Sequence, residues 1–236
     1  MLALLASSIG LGSILSATRS AIAAVATPKL PGPPRHLATR GSPAVPAAET
    51  LTIIGREGWT TRPQGRFTPH TIERITVHHT GAEITDNRAA IARLHQHQDW
   101  HMSHGWPDLA YHFMVDRNGN VYEGRPVDAV GDTFTEYDPT GHLLACFEGH
   151  FDVQDPSPVQ LSAMVRLVAW ATQTYSVRPA NITGHRDWAK TTCPGKNMYW
   201  RLNGLIRAAI EHDSIEVLYL RDRAALDRVA EISAGA

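Results

Sequence analysis

Apolar positions along the chain recur in two kinds of pattern, and these patterns define the predicted elements. Short apolar runs indicate strands; they cover residues 75–79, 109–116, 120–123, 142–150 and 182–183. Apolar residues at helical spacing indicate helices; they cover residues 86–100, a segment that begins after Ser157, and residues 197–212 and 214–232. Strands interleaved with helices predict an α/β fold in a single domain, with a central mixed β-sheet flanked by helices.

Polar and turn residues mark several boundaries. Thr85 or Asp86 is expected to cap the first helix. Gly119, which follows an asparagine, supplies the positive φ that a tight hairpin between the second and third strands needs. Ser157 and Gln160 form a predicted capping box, with proline at the first helical position between them.

The first 50 residues differ from the rest of the chain. Residues 1–26 are mostly apolar or small and contain small-x-small cleavage signatures, so we predict a signal peptide and an exported protein, whether secreted, periplasmic or attached to the cell wall. No Lys or Arg precedes the apolar run, which leaves an anchor as the alternative, but polar interruptions argue against a stable membrane span. Residues 27–50 are rich in Pro and Ala and predict a linker. The folded domain is expected over residues 51–212, followed by an amphipathic C-terminal helix over 213–236.

Charge excludes one class of partner. The chain has 22 basic and 23 acidic residues, a formal net charge of −1, whereas a nucleic-acid-binding protein usually carries a basic excess on one face. We therefore expect no nucleic-acid partner. The 13 histidines direct attention to metal binding instead.

Two histidines and a cysteine form a candidate metal site. His78 lies near the end of the first predicted strand, His185 follows the last one, and Cys193 lies in the next loop. Two imidazoles and one thiolate are three zinc ligands, and three protein ligands with one open position are the usual composition of a catalytic zinc site. Such an ion lowers the pKa of bound water to about 7. The sequence therefore indicates a metallohydrolase.

Two other uses of these residues are open to the same sequence. A histidine–cysteine set with a weak axial methionine, here Met198, is the ligand set of blue copper, but such sites usually gather their ligands in one loop after the cysteine. In an exported protein Cys193 could instead form a disulfide with Cys146, although Cys146 lies in an apolar run where a buried free thiol is ordinary.

The sequence resembles a known family, the zinc amidases that include the peptidoglycan recognition proteins and the bacteriophage lysozyme-type N-acetylmuramoyl-L-alanine amidases. The matching motifs occur in family order at residues 56–59, 77–80, 105–113, 119–125, 184–187 and 192–195. The resemblance covers roughly residues 52–205 and implies the peptidoglycan recognition protein-like amidase fold. It also implies zinc-dependent hydrolysis of the amide between N-acetylmuramic acid and L-alanine, with peptidoglycan or muropeptides as partners.

Individual roles follow from the resemblance. It implies that His78, His185 and Cys193 hold Zn²⁺ and that the Tyr111 hydroxyl faces the zinc-bound water or the developing oxyanion. Thr191 matches a position whose side chain faces the same oxyanion; adjacent Lys190 is the alternative. His101 matches a histidine of the substrate groove.

The resemblance leaves one functional alternative, a non-catalytic module that recognises muropeptides. Family members that bind without cutting often lack the cysteine ligand, so Cys193 favours an enzyme. The segment after Arg125 and the 131–141 loop depart from the family pattern, which leaves selectivity for diaminopimelate or lysine peptides open. His79 and His112, whose neighbours are functional candidates, are expected to point to the opposite side of their strands, where they pack.

Overall fold

A computed structural model describes residues 50–212 and 215–221 of the chain. The predicted signal peptide, and the predicted linker apart from its last residue, lie outside the described residues. Among those described, no helix has the length and apolar character needed to cross a membrane.

One sheet of seven strands organises the described residues. Its strands are β1 (Thr50–Ile54), β2 (Arg74–His79), β3 (Phe113–Val115), β4 (Val121–Glu123), β5 (His142–Phe147), β6 (Ile182–Gly184) and β7 (Glu216–Leu220). Their order across the sheet is β6-β2-β5-β3-β4-β1-β7. The β3–β4 hairpin is antiparallel and the other pairs are parallel, which confirms the predicted mixed sheet. Gly119 turns the hairpin with φ 81°.

Three helices pack on the sheet: α1 (Ala90–Ser103), α2 (Pro158–Tyr175) and α3 (Lys196–Ile210). The capping box at the start of α2 is confirmed, because the Ser157 side chain accepts from the Gln160 backbone and the Gln160 side chain accepts from the Ser157 backbone. The predicted cap of α1 is wrong. Asp86 accepts a hydrogen bond from the backbone N–H of Arg88 at 3.0 Å. This local turn delays the helix, which begins at Ala90.

The predicted helix over residues 214–232 is wrong where the structure describes it. Glu216–Leu220 forms β7, which pairs in parallel with β1 over five residues. Val217 and Tyr219 are half-buried against the main core, while their exposed neighbours alternate with them. An unpaired edge of β1 and this period-two pattern favour a strand over an isolated amphipathic helix. The remainder of the predicted helix lies outside the described residues.

The core has one layer on each face of the sheet. Strand residues such as Ile75 and Val77 pack with α2 and α3, whereas Met114 and Cys146 pack with Leu94 of α1. Register partners on neighbouring strands share a face, and His78 is the partner of Cys146. The side chain of His78 is therefore on the α1 side of the sheet, near the end of an interior strand.

Candidate metal centre

The three predicted metal ligands converge at one edge of the sheet. β2 and β6 are parallel neighbours, so the end of β2 at His78 and the segment after β6 at His185 lie side by side. The loop before α3 adds Cys193. The candidate ligand atoms of the three residues all lie within 4.8 Å of one another, and all three residues are buried. Cys193 Sγ is 3.7 Å from His78 Nδ1, and the two imidazole centroids are 4.5 Å apart.

Backbone contacts hold Cys193 in place. Its Sγ accepts a hydrogen bond from the backbone N–H of His79 at 3.3 Å, and its carbonyl accepts from the backbone N–H of Arg186 at 2.9 Å. Gly195 follows with φ +86°, and a Cβ at that position would lie 2.4 Å from the backbone of Phe151. The loop therefore needs glycine there to pass so close to the neighbouring chain.

The electrostatics of the three side chains suit a soft divalent cation. Burial lowers the pKa of His78 well below 6.5 and that of His185 to about 4, so both imidazoles are neutral and offer a lone pair. Burial is the main cause that raises the pKa of the Cys193 thiol to about 12, and a coordinated cation would reverse this because it binds the thiolate. Two neutral nitrogens and one sulfur are a donor set that fits Zn²⁺.

Tyr111 lies beside the three candidate ligands. Its ring centroid is 5.3 Å from that of His78 and 5.7 Å from that of His101. Burial, followed by the nearby thiols of Cys146 and Cys193, raises the pKa of the phenol well above 10. The hydroxyl therefore keeps its proton at neutral pH and can donate a hydrogen bond, for which the Cys146 thiol is one nearby acceptor.

The other two predicted site residues have contacts of their own. The hydroxyl of Thr191 accepts a hydrogen bond from the backbone N–H of Cys193 at 3.2 Å, so it supports the ligand loop. Lys190 is exposed. His101 is buried, with Nδ1 accepting from the backbone N–H of Ala110 at 3.2 Å. The oxyanion role of Thr191 and the substrate role of His101 stay predictions.

Residues predicted to pack do so. His79 Nδ1 accepts from the backbone N–H of Phe151 at 3.2 Å, on the sheet face opposite to His78.

Both cysteines are free, which contradicts the disulfide alternative. Met198 packs in the main hydrophobic core, which argues against copper.

Two groups of residues near the site were not predicted. The hydroxyls of Thr135 and Tyr137, in the loop between β4 and β5, lie 2.6 Å and 3.5 Å from the Nε2 atoms of His185 and His78 respectively. Phe134, directly before Thr135, joins an aromatic cluster with Trp100 and Trp106 at centroid distances of 4.7 and 4.1 Å. The loop has no sequence periodicity from which inward-facing side chains could be predicted. The exposure of Trp100 and Phe134, which marks the aromatic cluster as a surface, cannot be read from the sequence.

Comparisons with known proteins agree with this geometry. Residues 68–196 match the model of the N-acetylmuramoyl-L-alanine amidase family. The chain is 33% identical to peptidoglycan-recognition protein SC1a of Drosophila melanogaster over 131 residues, covering 54% of this chain and 70% of the relative. It is 32% identical to the endolysin of Klebsiella phage KP32 over 116 residues, 46% of this chain and 75% of the endolysin.

A solved structure shares the fold. It is the crystal structure of tracheal cytotoxin bound to the ectodomain complex of peptidoglycan recognition proteins LCa and LCx. The TM-score is 0.58 at 31% identity, and the match covers 64% of this chain and 93% of the other. The peptidoglycan recognition protein-like fold predicted from the sequence is confirmed.

Proposed function

Because the chain belongs to the N-acetylmuramoyl-L-alanine amidase family, we propose that it is a zinc-dependent enzyme that hydrolyses the amide between N-acetylmuramic acid and L-alanine in peptidoglycan. The observation that carries the proposal is the convergence of three buried ligand atoms, two nitrogens and one sulfur, within 4.8 Å of one another. This donor set leaves one of four tetrahedral positions for solvent or substrate, which is the composition of a catalytic rather than a structural zinc site.

His78, His185 and Cys193 would hold the ion. When bound, Zn²⁺ supplies a nucleophile at neutral pH and polarises the amide carbonyl. Tyr111 contributes a neutral phenol that donates a hydrogen bond to the carbonyl oxygen as negative charge develops there. Thr191, or Lys190 in its place, is proposed as a second donor to the same oxygen. The bond that breaks is the carbonyl carbon–nitrogen bond, and the products are a lactyl carboxylate and the free amine of L-alanine.

A catalytic role is favoured over recognition without turnover. A module that only binds muropeptides needs neither a complete set of zinc ligands nor a phenol beside them. Here both Cys193 and Tyr111 are present, and both lie next to His78. Muropeptide recognition without cleavage is the second candidate function, supported by the relatives named as recognition proteins.

The substrate surface is proposed to extend from Tyr111 along aromatic side chains. His101 contacts Tyr111 on one side and Trp106, at a centroid distance of 5.0 Å, on the other. Trp106 then contacts Phe134, which is 57% exposed, next to Trp100, which is 50% exposed. Exposed aromatic rings beside a reactive centre offer apolar contact area to a muropeptide. Since peptidoglycan is outside the cytoplasm, export through residues 1–26 belongs to the same proposal.

The test compares cleavage with metal content. The purified, zinc-loaded chain is incubated with peptidoglycan of the diaminopimelate and lysine types, and released peptides are identified by mass spectrometry. We expect free stem peptides with an L-alanine amino terminus. Cys193→Ala should lose both bound zinc and cleavage. Cys146→Ala removes a buried thiol that is not a ligand, and should keep the bound zinc.

The outcomes separate the two candidate functions. Muropeptide binding by the zinc-loaded wild-type chain without any peptide release would establish recognition in place of catalysis. Release that continues unchanged in Cys193→Ala, with no zinc bound, would rule out the metal mechanism.

A further inference from the structure

The loop between β4 and β5 places two hydroxyl groups against the two histidine ligands. Thr135 Oγ1 lies 2.6 Å from Nε2 of His185, and the Tyr137 hydroxyl lies 3.5 Å from Nε2 of His78. In His78 the other ring nitrogen, Nδ1, faces Cys193 Sγ at 3.7 Å. Each loop hydroxyl therefore contacts the Nε2 side of its ring, and the Nδ1 side remains for the ion.

This arrangement suits the tautomer of each ring in which Nδ1 is free to bind an ion. A neutral imidazole carries its proton on one nitrogen, and the nitrogen that binds a metal must be the bare one. A hydroxyl beside Nε2 can accept a hydrogen bond from the form in which Nε2 carries the proton, and that form leaves Nδ1 bare. Metal-ligating histidines commonly donate their other N–H in this way, and loss of that partner typically weakens metal affinity by about 10–100-fold.

We propose that Thr135 and Tyr137 are the positioning residues of the metal centre: Thr135 holds the His185 ring, and Tyr137 the His78 ring, with Nδ1 directed at the ion. The inference rests on the zinc site of the proposed function. The two contacts differ in length by nearly one ångström, since one is 2.6 Å and the other 3.5 Å. Thr135 therefore contributes more than Tyr137.

The Thr135 hydroxyl has a partner for its own proton. Thr133 Oγ1 lies 2.8 Å from Thr135 Oγ1 and also accepts from the backbone N–H of Thr135 at 3.1 Å. The Thr135 hydroxyl can thus donate to Thr133 while it accepts from His185. The Thr135 hydroxyl then has a partner both as a donor and as an acceptor.

The loop that carries these hydroxyls is anchored at its start. The buried Arg125 side chain donates to the carbonyl of Val130 at 2.6 Å and pairs with Asp132 at 2.6 Å. Within the loop, the backbone N–H of Tyr137 donates to the carbonyl of Thr135 at 3.0 Å. Both hydroxyls are therefore presented from a fixed backbone, as a positioning role requires.

The test measures zinc affinity by competition with a fluorescent chelator, using the full chain. Thr135→Val keeps the shape of the side chain but removes the hydroxyl, and is expected to weaken zinc binding by about 10–100-fold. Thr135→Ser restores the hydroxyl and should bind like the wild type. Tyr137→Phe should show a smaller loss than Thr135→Val. Thr140→Val, an exposed position in the same loop, is the matched control and should show none.

Two further measurements distinguish positioning from folding. Thermal unfolding in excess chelator should be alike for Thr135→Val and Thr135→Ser, because the proposal concerns the ion and not the stability of the chain without it. In the zinc-loaded wild type, long-range ¹H–¹⁵N NMR should show the proton of His185 on Nε2.

Equal zinc affinity of Thr135→Val and the wild type would overturn the inference, and so would equal losses in the valine and serine variants. A proton on Nδ1 of His185 would have the same consequence. Failure of the zinc site itself looks different: the wild type would not bind zinc, or His185→Ala would bind it as tightly as the wild type.

Discussion

The ring of Tyr111 packs against the ring of His78, with centroids 5.3 Å apart and an angle of 51° between the planes. The contact fixes the phenol beside the metal ligands without using its hydroxyl. We therefore predict that Tyr111→Phe keeps the fold and the zinc affinity but lowers the rate of amide hydrolysis. The expected loss is about 10²–10³-fold in kcat, the typical effect of removing one donor to an oxyanion.

Steady-state cleavage of a defined muropeptide, together with zinc titration, tests this prediction. Tyr175→Phe, at the end of α2, is the control and should leave both quantities unchanged. Full activity of Tyr111→Phe would show that the hydroxyl takes no part in the reaction.

Gly195 sets the path of the loop that carries Cys193. A Cβ at this position would lie 2.4 Å from a backbone carbon of Phe151 and 2.8 Å from the backbone nitrogen of Asp152, and φ is +86°. Gly195→Ala is therefore expected to reduce the free energy of unfolding by about 2 kcal/mol or more and to weaken zinc binding.

Gly204 provides the matched control for that substitution. It lies within α3, and an added Cβ would meet no atom within 4 Å. Gly204→Ala should stabilise the chain by about 0.5–1 kcal/mol. Urea denaturation of both variants measures the difference, and equal effects of the two substitutions would contradict the role assigned to Gly195.

His112 makes stability depend on pH in the acid range. It is fully buried, its Nδ1 accepts from the backbone N–H of Leu144 at 2.8 Å, and its Nε2 lies 2.8 Å from the carbonyl of Ala129. A proton on Nδ1 would face another donor. Burial is the main cause that lowers the pKa of His112 to about 3.

The sign of the effect follows from the ordinary histidine pKa of about 6.5 in the unfolded chain. Between about pH 6.5 and pH 3 the unfolded chain binds a proton that the folded chain does not. Stability therefore falls as pH decreases through this window, by up to about 1.4 kcal/mol per pH unit from this group. Urea unfolding between pH 4 and 7 should show a shallower slope in His112→Gln. An unchanged slope would assign the acid sensitivity to other histidines.

Strand β7 covers the edge of β1, and its removal should destabilise the domain. Val217 and Tyr219 pack against the core, so a chain that ends after residue 212 loses roughly 2–4 kcal/mol of apolar burial. It also exposes an unpaired strand edge that promotes association. Calorimetry and light scattering would detect a lower Tm and larger particles. A chain that ends after residue 221 keeps β7 and should show a higher Tm and smaller particles than the chain that ends after residue 212.

The convergence of the three candidate metal ligands could be predicted from the sequence because their chemistry is specific. Histidine and cysteine are among the few residue types that bind zinc. The strand ends and turn residues around His78, His185 and Cys193 indicated that these side chains converge. The capping box of α2 could also be predicted from the sequence, because Ser157 and Gln160 bond to backbone atoms only three residues apart. Features that are local in the chain or that need a specific residue type can therefore be predicted from a sequence.

Other features depended on contacts that a sequence does not contain. Thr135 and Tyr137 belong to an irregular loop, where no period indicates which side chains point inward. The segment around Val217 contains residues compatible with either a helix or a strand, and the free edge of β1 decided between them. Asp86 was a suitable helix cap by residue type, but its side chain accepts from Arg88 in a turn that precedes the helix.

Thr50 lies beside Glu216 although almost the whole domain separates them in sequence. A nascent chain on the ribosome reaches β7 after every other described element has been made. Until then one side of β1 has no neighbour, so the sheet cannot be completed during most of synthesis. A partly made chain therefore exposes the unpaired side of β1 until β7 has been synthesised.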